Sequence, residues 1–260
     1  MNRRHVTFTC EGDTLVGTLD DAAGTAGLLL VSGGNEIRSG SFAGQARLAA
    51  RLAEAGFPVF RYDRRGIGDS SGENREFRDS GEDLAAAIGA FKAERPGLTR
   101  LVGFGNCDAA SALMLNSGAG CDALVLANPW TIEEDDGAPP PEAIRSRYAQ
   151  KLRDPKEVIR LVTGGVSLRK LASGLKRAAA APTAPTGLAQ EMKAGLDAFA
   201  GPARILIADR DRTAQAFLAT WDRNDQRLST CAGASHAFVE PAAREWLFEH
   251  LISALKSADA

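Results

Sequence analysis

Short apolar runs alternate with amphipathic stretches along most of the chain. Six runs predict strands, at 27–32, 58–63, 99–105, 122–129, 203–209 and 226–233. Helical spacing of apolar positions predicts helices at 42–57, 80–97, 108–117, 213–223 and 241–256. Ahead of them, two segments alternate with a period of two around the residues EGD, which predicts an antiparallel hairpin. The pattern predicts an α/β fold with a mostly parallel eight-stranded sheet and helices on both faces.

Local signals indicate where some of these elements begin and end. Ser80 precedes the predicted helix 80–97 and is expected to be its N-cap, with Pro96 and Gly97 ending the helix. The segment 61–72 (RYDRRGIGDSSG) follows a predicted strand and is rich in glycine, aspartate and serine, which favour turns. We expect it to have a structural role behind the functional site.

The segment 130–200 differs from the rest because it contains no strand-like run. It includes the proline-rich stretches GAPPPEA and AAAAPTAPTG, and ten Lys or Arg between 145 and 177 against only Asp154 and Glu157. We interpret 130–200 as a helical cap insertion in a core formed by 1–129 and 201–260. Such an insertion would lie over the carboxyl edge of the sheet, where parallel sheets bind ligands.

Composition excludes several classes of protein. The chain has 260 residues, 44% hydrophobic and 25% charged, and a formal net charge of −2, which argues against a general nucleic-acid binder. No apolar run approaches the ~20 residues of a membrane span, and no signal peptide is predicted. Four scattered cysteines without a C-x-x-C motif favour a reducing cytoplasm over disulfides or zinc. No metal site or dinucleotide fingerprint is visible, so no cofactor is predicted.

A turn between a predicted strand and helix carries the candidate nucleophile. Residues 105–109 (GNCDA) have the spacing of a G-x-S-x-G turn, with Cys107 at the serine position and Ala109 at the second glycine. The residues two before and two after the nucleophile approach closely in such a turn, so both must be small. The thiol would lie at a helix N-terminus, whose dipole favours thiolate. The alternative is that Cys107 is a buried structural cysteine.

His236 is the candidate general base. Of the three histidines, only His236 lies in a glycine-rich loop after a predicted strand, whereas His5 is in the hairpin and His250 in the final helix. In this architecture the chain order is nucleophile, acid, base. The loop 206–214 therefore supplies the acid, either Asp211, whose spacing fits, or Asp209 as the fallback. An acid within 131–136 is a third option.

The remaining site residues are predicted by position. The backbone N–H of Asp108 and that of Gly34 or Asn35 are expected to form an oxyanion hole, because Gly33 and Gly34 let the backbone approach a substrate. A plain tight turn is the alternative for these glycines. The expected substrate contacts are Asn106, Trp130, Arg169 and Lys170.

Together these segments resemble the α/β-hydrolase superfamily. VSGGN, YDRRGIGDSSG, GFGNCDAAS, ADRD and GASHAF occur in that family's order. CDAASALML, NPW and YAQKL resemble, more narrowly, the exosortase A system-associated hydrolases of the first type, which are encoded with exopolysaccharide and protein-sorting genes. The resemblance implies an enzyme acting through an acyl intermediate. Two features depart from the usual pattern: Cys107 replaces serine, and Ser32-Gly33 replaces His-Gly.

Three functional hypotheses follow. The favoured one is an enzyme in which Cys107 attacks an ester or thioester carbonyl, with hydrolysis or acyl transfer as the outcome. The basic segment would then receive an anionic carrier such as coenzyme A or an acyl carrier protein, unless it is an ordinary solvated face. The second hypothesis is a non-catalytic binding or assembly protein on a hydrolase scaffold. The third is a membrane-surface protein whose basic segment contacts anionic lipid.

Overall fold

The computed structural model describes residues 2–133 and 187–257. Eight strands are β1 (Asn2–Cys10), β2 (Asp13–Asp21), β3 (Ala26–Val31), β4 (Val59–Tyr62), β5 (Arg100–Asn106), β6 (Ala123–Ala127), β7 (Ala203–Ala208) and β8 (Leu228–Cys231). The helices within the described ranges are α1 (Gly44–Glu54), α2 (Gly81–Glu94), α3 (Asp108–Leu115), α4 (Gly187–Ala198), α5 (Arg212–Thr220) and α6 (Pro241–Lys256). Short 3₁₀ turns occur at Ser41–Ala43 and Ser117–Gly120. In these same ranges no helix is long and apolar enough to cross a membrane.

All eight strands form one sheet in the order β1-β2-β4-β3-β5-β6-β7-β8. β1 pairs antiparallel with β2, and β2 with β4, whereas every later neighbour is parallel. The sequence-based prediction of a mostly parallel sheet that begins with an antiparallel hairpin is therefore confirmed. Because β3, β5, β6 and β7 run in parallel, the loops after these strands converge at one edge of the sheet.

Alternate residues of each central strand face two separate hydrophobic cores. In β3, Leu29 and Val31 face the first core, and Leu28 and Leu30 face the second. Helices α2, α3, α4 and α5 contribute to the first core, and α1 and α6 to the second. Strands that are covered on both faces read as continuous apolar runs, which explains the pattern in the sequence.

Helix α4 lies inside the segment predicted as a cap but packs into the core. Its buried residues Leu188, Met192 and Leu196 belong to the cluster beneath α3. The core therefore resumes by Gly187, earlier than the predicted boundary at 201. The rest of the predicted cap, 134–186, lies outside the described residues.

Ser80 precedes α2 as predicted, but its side chain does not cap the helix. The hydroxyl instead donates to the carbonyl oxygen of Phe77 at 2.9 Å. A serine hydroxyl can bond either to the preceding turn or to a helix N–H, and the Ser80 hydroxyl bonds to the preceding turn.

Gly195 tests the packing of α4 against α3. A Cβ at Gly195 would overlap the carbonyl oxygen of Met114. Gly195→Ala is therefore expected to lower the free energy of unfolding by about 1–3 kcal/mol, the usual cost of overpacking. Urea denaturation followed by circular dichroism measures this change.

The matched control is Gly89→Ala, in the exposed part of α2, where a Cβ would have no heavy atom within 4 Å. This change should raise stability by about 0.5–1 kcal/mol, because alanine favours helix over glycine. If both variants behave alike, α4 does not dock on α3 as described.

Candidate active site

Cys107 stands on a sharp turn between β5 and α3. Its backbone has φ 64° and ψ −131°, a conformation that L-residues rarely adopt. The turn brings Gly105 against Ala109, and a Cβ on Gly105 would lie 2.6 Å from the Ala109 carbonyl carbon. Only a glycine fits at the first position, so the sequence pattern has a steric cause. The Cys107 side chain is partly exposed at the carboxyl edge of the sheet.

Two loops bring His236 and Asp211 together. The Nδ1 atom of His236 lies 3.0 Å from Oδ2 of Asp211, whose side chain is only 8% exposed. The same carboxylate caps α5 by accepting from the backbone N–H of Ala214 at 2.9 Å. The fallback acid Asp209 has a different partner, since its Oδ1 accepts from the backbone N–H of Gly233 at 2.7 Å. The geometry therefore pairs His236 with Asp211.

His236 is electrostatically prepared to hold a proton. The pKa of His236 is raised to about 10, mainly by hydrogen bonding to Asp211 and secondly by interaction with the Cys107 side chain. Partial burial acts in the opposite direction. At neutral pH the imidazole is therefore an imidazolium beside the sulfur. A cation in this position favours thiolate.

The other three cysteines occupy different surroundings. All are buried free thiols. Burial raises the pKa of Cys10 to about 11 and that of Cys121 to about 12, and it also raises the pKa of Cys231. These thiols remain protonated at neutral pH.

Two asparagines hold the loop that carries His236. Asn106 and Asn128 donate their side-chain N–H groups to the carbonyl oxygen of His236, at 3.1 and 3.0 Å. Asn128 also donates to the side-chain oxygen of Asn106 and accepts from the N–H of Ala208. Asn106, predicted as a substrate contact, thus bonds within the protein. Asn128 was missed, although its left-handed backbone (φ 43°) and the NPW motif mark the position.

The loop of Gly34 and Asn35, predicted to supply an oxyanion donor, is hydrogen-bonded to the Asp108 side chain. The N–H of Gly34 donates to Oδ1 of Asp108 at 2.6 Å, so this amide is not free as the sequence analysis expected. Arg64 donates to the carbonyl oxygen of the same Gly34. Asn35 is anchored through its side-chain oxygen, which accepts from Asn74 at 3.0 Å. The backbone N–H of Asp108 begins α3 and has no carbonyl within the helix to bond.

The remaining predicted contacts divide into two groups. Trp130 follows β6 and is tied to α3 because Ser111 Oγ accepts from its N–H and donates to its carbonyl, both at 2.8 Å. Its indole N–H donates to the carbonyl of Ile132 at 2.7 Å. Arg169 and Lys170 lie outside the described residues.

A family model matches most of the chain. The model of the "Alpha/beta hydrolase family" matches residues 28–249, which include the turn at Cys107 and the loops of Asp211 and His236. The chain belongs to the alpha/beta hydrolase family. Within this family the strand-to-helix turn is the usual place of the nucleophile.

Solved structures support the same fold. An esterase from Pyrococcus furiosus is 15% identical to this chain, with a TM-score of 0.63. The match covers 98% of this chain and 90% of the esterase chain. The alpha/beta hydrolase GrgF from Penicillium sp. sh18 is 18% identical, with a TM-score of 0.65 and 98% of both chains covered. XC6422 from Xanthomonas campestris, a serine hydrolase without a lid, is 15% identical, with a TM-score of 0.60 over 99% and 97% of the chains. No curated protein matches the chain.

The His236 contacts predict a pH-dependent contribution to stability. The folded-state pKa of His236, about 10, exceeds the ordinary value of 6.5. The stabilisation is therefore fully present below about pH 6.5 and is lost as pH rises through about 10. Urea unfolding of wild type and His236→Ala at several pH values should show a difference that shrinks across this window.

Solvent screens part of the effect, because the His236 side chain is 40% exposed. The direction of the trend is therefore the test. A difference that stays constant or grows from pH 6.5 to 10 would show that His236 does not hold its proton through Asp211 and Cys107.

Proposed function

We propose that this chain is an ester or thioester hydrolase, or an acyltransferase, with Cys107 as nucleophile, His236 as general acid and base, and Asp211 as the orienting acid. The observation that carries the proposal is the contact of His236 with Asp211 at 3.0 Å, together with the interaction of the same imidazole with Cys107 on the strained turn. A nucleophile, a base and an orienter in this order are the parts that acyl transfer requires.

Acylation begins from the Cys107 thiolate beside the His236 imidazolium. The sulfur attacks the substrate carbonyl carbon, forming the C–S bond and placing negative charge on the carbonyl oxygen. The N–H of Asp108 and that of Gly34 or Asn35 would stabilise this oxyanion. His236, with Nδ1 held by Asp211, donates the proton on Nε2 to the leaving alkoxide or thiolate as its bond to the carbonyl carbon breaks.

Deacylation returns the site to its starting state. Neutral His236 takes a proton from water, and the resulting oxygen nucleophile attacks the thioester carbonyl of the acyl-enzyme. The C–S bond then breaks, and the thiolate and the imidazolium are restored. An alcohol, amine or thiol acceptor in place of water gives acyl transfer by the same steps. Asp211 orients the imidazole throughout and does not take its proton.

We also propose a biological system, a cellular compartment and a substrate carrier for this reaction. The resemblance to exosortase A system-associated hydrolases suggests a role linked to exopolysaccharide or protein-sorting systems. The four free thiols favour the cytoplasm. The basic segment 145–177 suits a substrate on coenzyme A or an acyl carrier protein.

Two observations favour the alternative, a non-catalytic binding or assembly protein. The carboxylate of Asp108 occupies the Gly34 N–H that an oxyanion would need. In addition, the solved relative XC6422 is a serine hydrolase, whereas this chain has cysteine. The reactivity of Cys107 separates the two functions.

Iodoacetamide alkylation tests the nucleophile. We expect Cys107 to react at pH 6 on the order of tenfold faster than an ordinary thiol, because the His236 imidazolium favours the thiolate. Mass spectrometry of peptides locates the adduct. In His236→Ala, the reactivity at pH 6 should disappear while reactivity at high pH remains.

The chain supplies its own control in Cys10, Cys121 and Cys231, whose raised pKa values and burial should leave them unmodified at pH 6. If Cys107 is as inert as these three thiols, the triad is not assembled, and the binding or assembly function takes precedence.

Salt dependence tests the anionic carrier. The Michaelis constant for an acyl-coenzyme A should rise as salt increases from 0.05 to about 0.5 M, because the Debye length falls below ~10 Å. The Michaelis constant for a neutral p-nitrophenyl ester with the same acyl group should change little. Equal salt dependence for both substrates would exclude recognition of the carrier by its charge.

A further inference from the structure

Asp108 and Gly34 form a contact that the proposed reaction must break. The N–H of Gly34 can donate one strong hydrogen bond, and Oδ1 of Asp108 accepts it at 2.6 Å. A substrate oxyanion would compete for the same hydrogen and would be repelled by the adjacent carboxylate. An oxyanion hole that uses the Gly34 N–H therefore cannot be complete while Asp108 remains in this position.

The loop is shaped to admit this carboxylate. A Cβ at Gly33 would lie 2.6 Å from Oδ1 of Asp108 and 2.7 Å from the carbonyl oxygen of Asn106, so any larger residue would displace the side chain. Gly34 itself has φ +55°, which glycine adopts without strain, and its N–H donates to Asp108 of α3. The contact thus depends on both glycines of the loop.

The Arg64 guanidinium lies next to the Asp108 carboxylate. Nη2 of Arg64 lies 3.6 Å from Oδ2 of Asp108, beyond hydrogen-bonding distance, although the Arg64 side chain is only 4% exposed. Nη1 of the same guanidinium is buried and has no hydrogen-bond partner among the described residues. A buried donor without an acceptor is costly, and a carboxylate drawn onto a guanidinium would relieve this cost.

We propose that Asp108 is a positioning residue with two places, one on the Gly34 N–H, which closes the oxyanion hole, and one on Arg64, which opens it. This inference rests on the proposed function, because it concerns access to the same oxyanion hole. Substrate binding would shift the carboxylate to Arg64 and free the Gly34 N–H for the carbonyl oxygen. No change in the backbone of the turn is required, only rotation of one short side chain.

The first readout is hydrogen exchange at the Gly34 amide, measured by NMR. In Asp108→Ala the exchange rate should rise by about tenfold or more, because the bond to a charged acceptor is lost. Asp108→Asn, which keeps an oxygen acceptor without the charge, should lie between the two. Glu249→Ala, which removes an exposed carboxylate on α6, should leave the rate unchanged. An unchanged rate in Asp108→Ala overturns the proposal.

The second readout compares acylation with alkylation of Cys107. Acylation by p-nitrophenyl acetate, followed as p-nitrophenolate release, forms an oxyanion, whereas alkylation by iodoacetamide does not. Asp108→Ala should speed acylation by about tenfold and leave alkylation within twofold, because only acylation needs the freed donor. Slower acylation in Asp108→Ala would show that the carboxylate assists the reaction and would overturn the proposal.

Arg64 is tested through its dependence on Asp108. Arg64→Gln should slow acylation by about tenfold, since the open position is lost, but Arg64→Gln/Asp108→Ala should react as fast as Asp108→Ala alone. If Arg64→Gln slows both backgrounds equally, Arg64 acts only on the structure and the two-place proposal is wrong. Should Arg64→Gln fail to fold, Arg64→Met, which also removes the charge, makes the same comparison.

The outcomes also separate this inference from the proposed function. A Cys107 that reacts with iodoacetamide in a His236-dependent manner, with acylation insensitive to Asp108, overturns only the role of Asp108. A Cys107 that is inert in every variant overturns the proposed function and the role of Asp108 with it.

Discussion

The left-handed backbone at Cys107 is the constraint on which the candidate site depends. A non-glycine residue in this conformation carries strain of about 1–3 kcal/mol, which the surrounding packing must offset. The buried residues of α3 supply that packing, and the small residues at Gly105 and Ala109 permit it. The turn places Cys107 beside His236 and the first side chain of α3 beside Gly34. A relaxed turn would separate these groups.

The candidate site contains two pairs of opposite charge. His236 and Asp211 form one pair, and Arg64 and Asp108 form the other. The first pair has hydrogen-bonding geometry, whereas the second is held apart because Asp108 bonds to Gly34 instead. The two pairs therefore differ in kind. One is joined by a 3.0 Å contact, and the other leaves Nη1 of the Arg64 guanidinium without a hydrogen-bond partner among the described residues.

The sequence allowed prediction of the parts of this molecule that depend on local patterns. Continuous apolar runs such as β3 indicate strands covered on both faces, and small residues around Cys107 indicate the turn. The spacing after β7 favoured Asp211, which the structure places against His236. The contact of Asp108 with Gly34 was not predictable, because it depends on a side-chain rotamer across two loops. Arg64 lay in a segment assigned only a structural role, and no periodicity reveals how far its side chain reaches.

The packing of α4 into the core was not predicted for a related reason. Proline-rich stretches suggested that the whole of 130–200 is separate from the core, but α4 carries an apolar face that α3 and the sheet bury. The spacing of hydrophobic residues predicts which face of a short helix is buried, but it does not predict which surface covers that face. Tertiary packing decided that question.

The two asparagines that anchor the His236 loop affect how the site responds to a change in pH. Asn106 and Asn128 hold the carbonyl of His236 through amide groups alone. Amides do not ionise between acid and alkaline conditions, so this anchor keeps the same strength while the imidazole that it carries gains or loses charge. A carboxylate or an amine in the same place would have moved the loop with every change in its own charge. The imidazole that titrates is thus held in place by side chains that do not titrate.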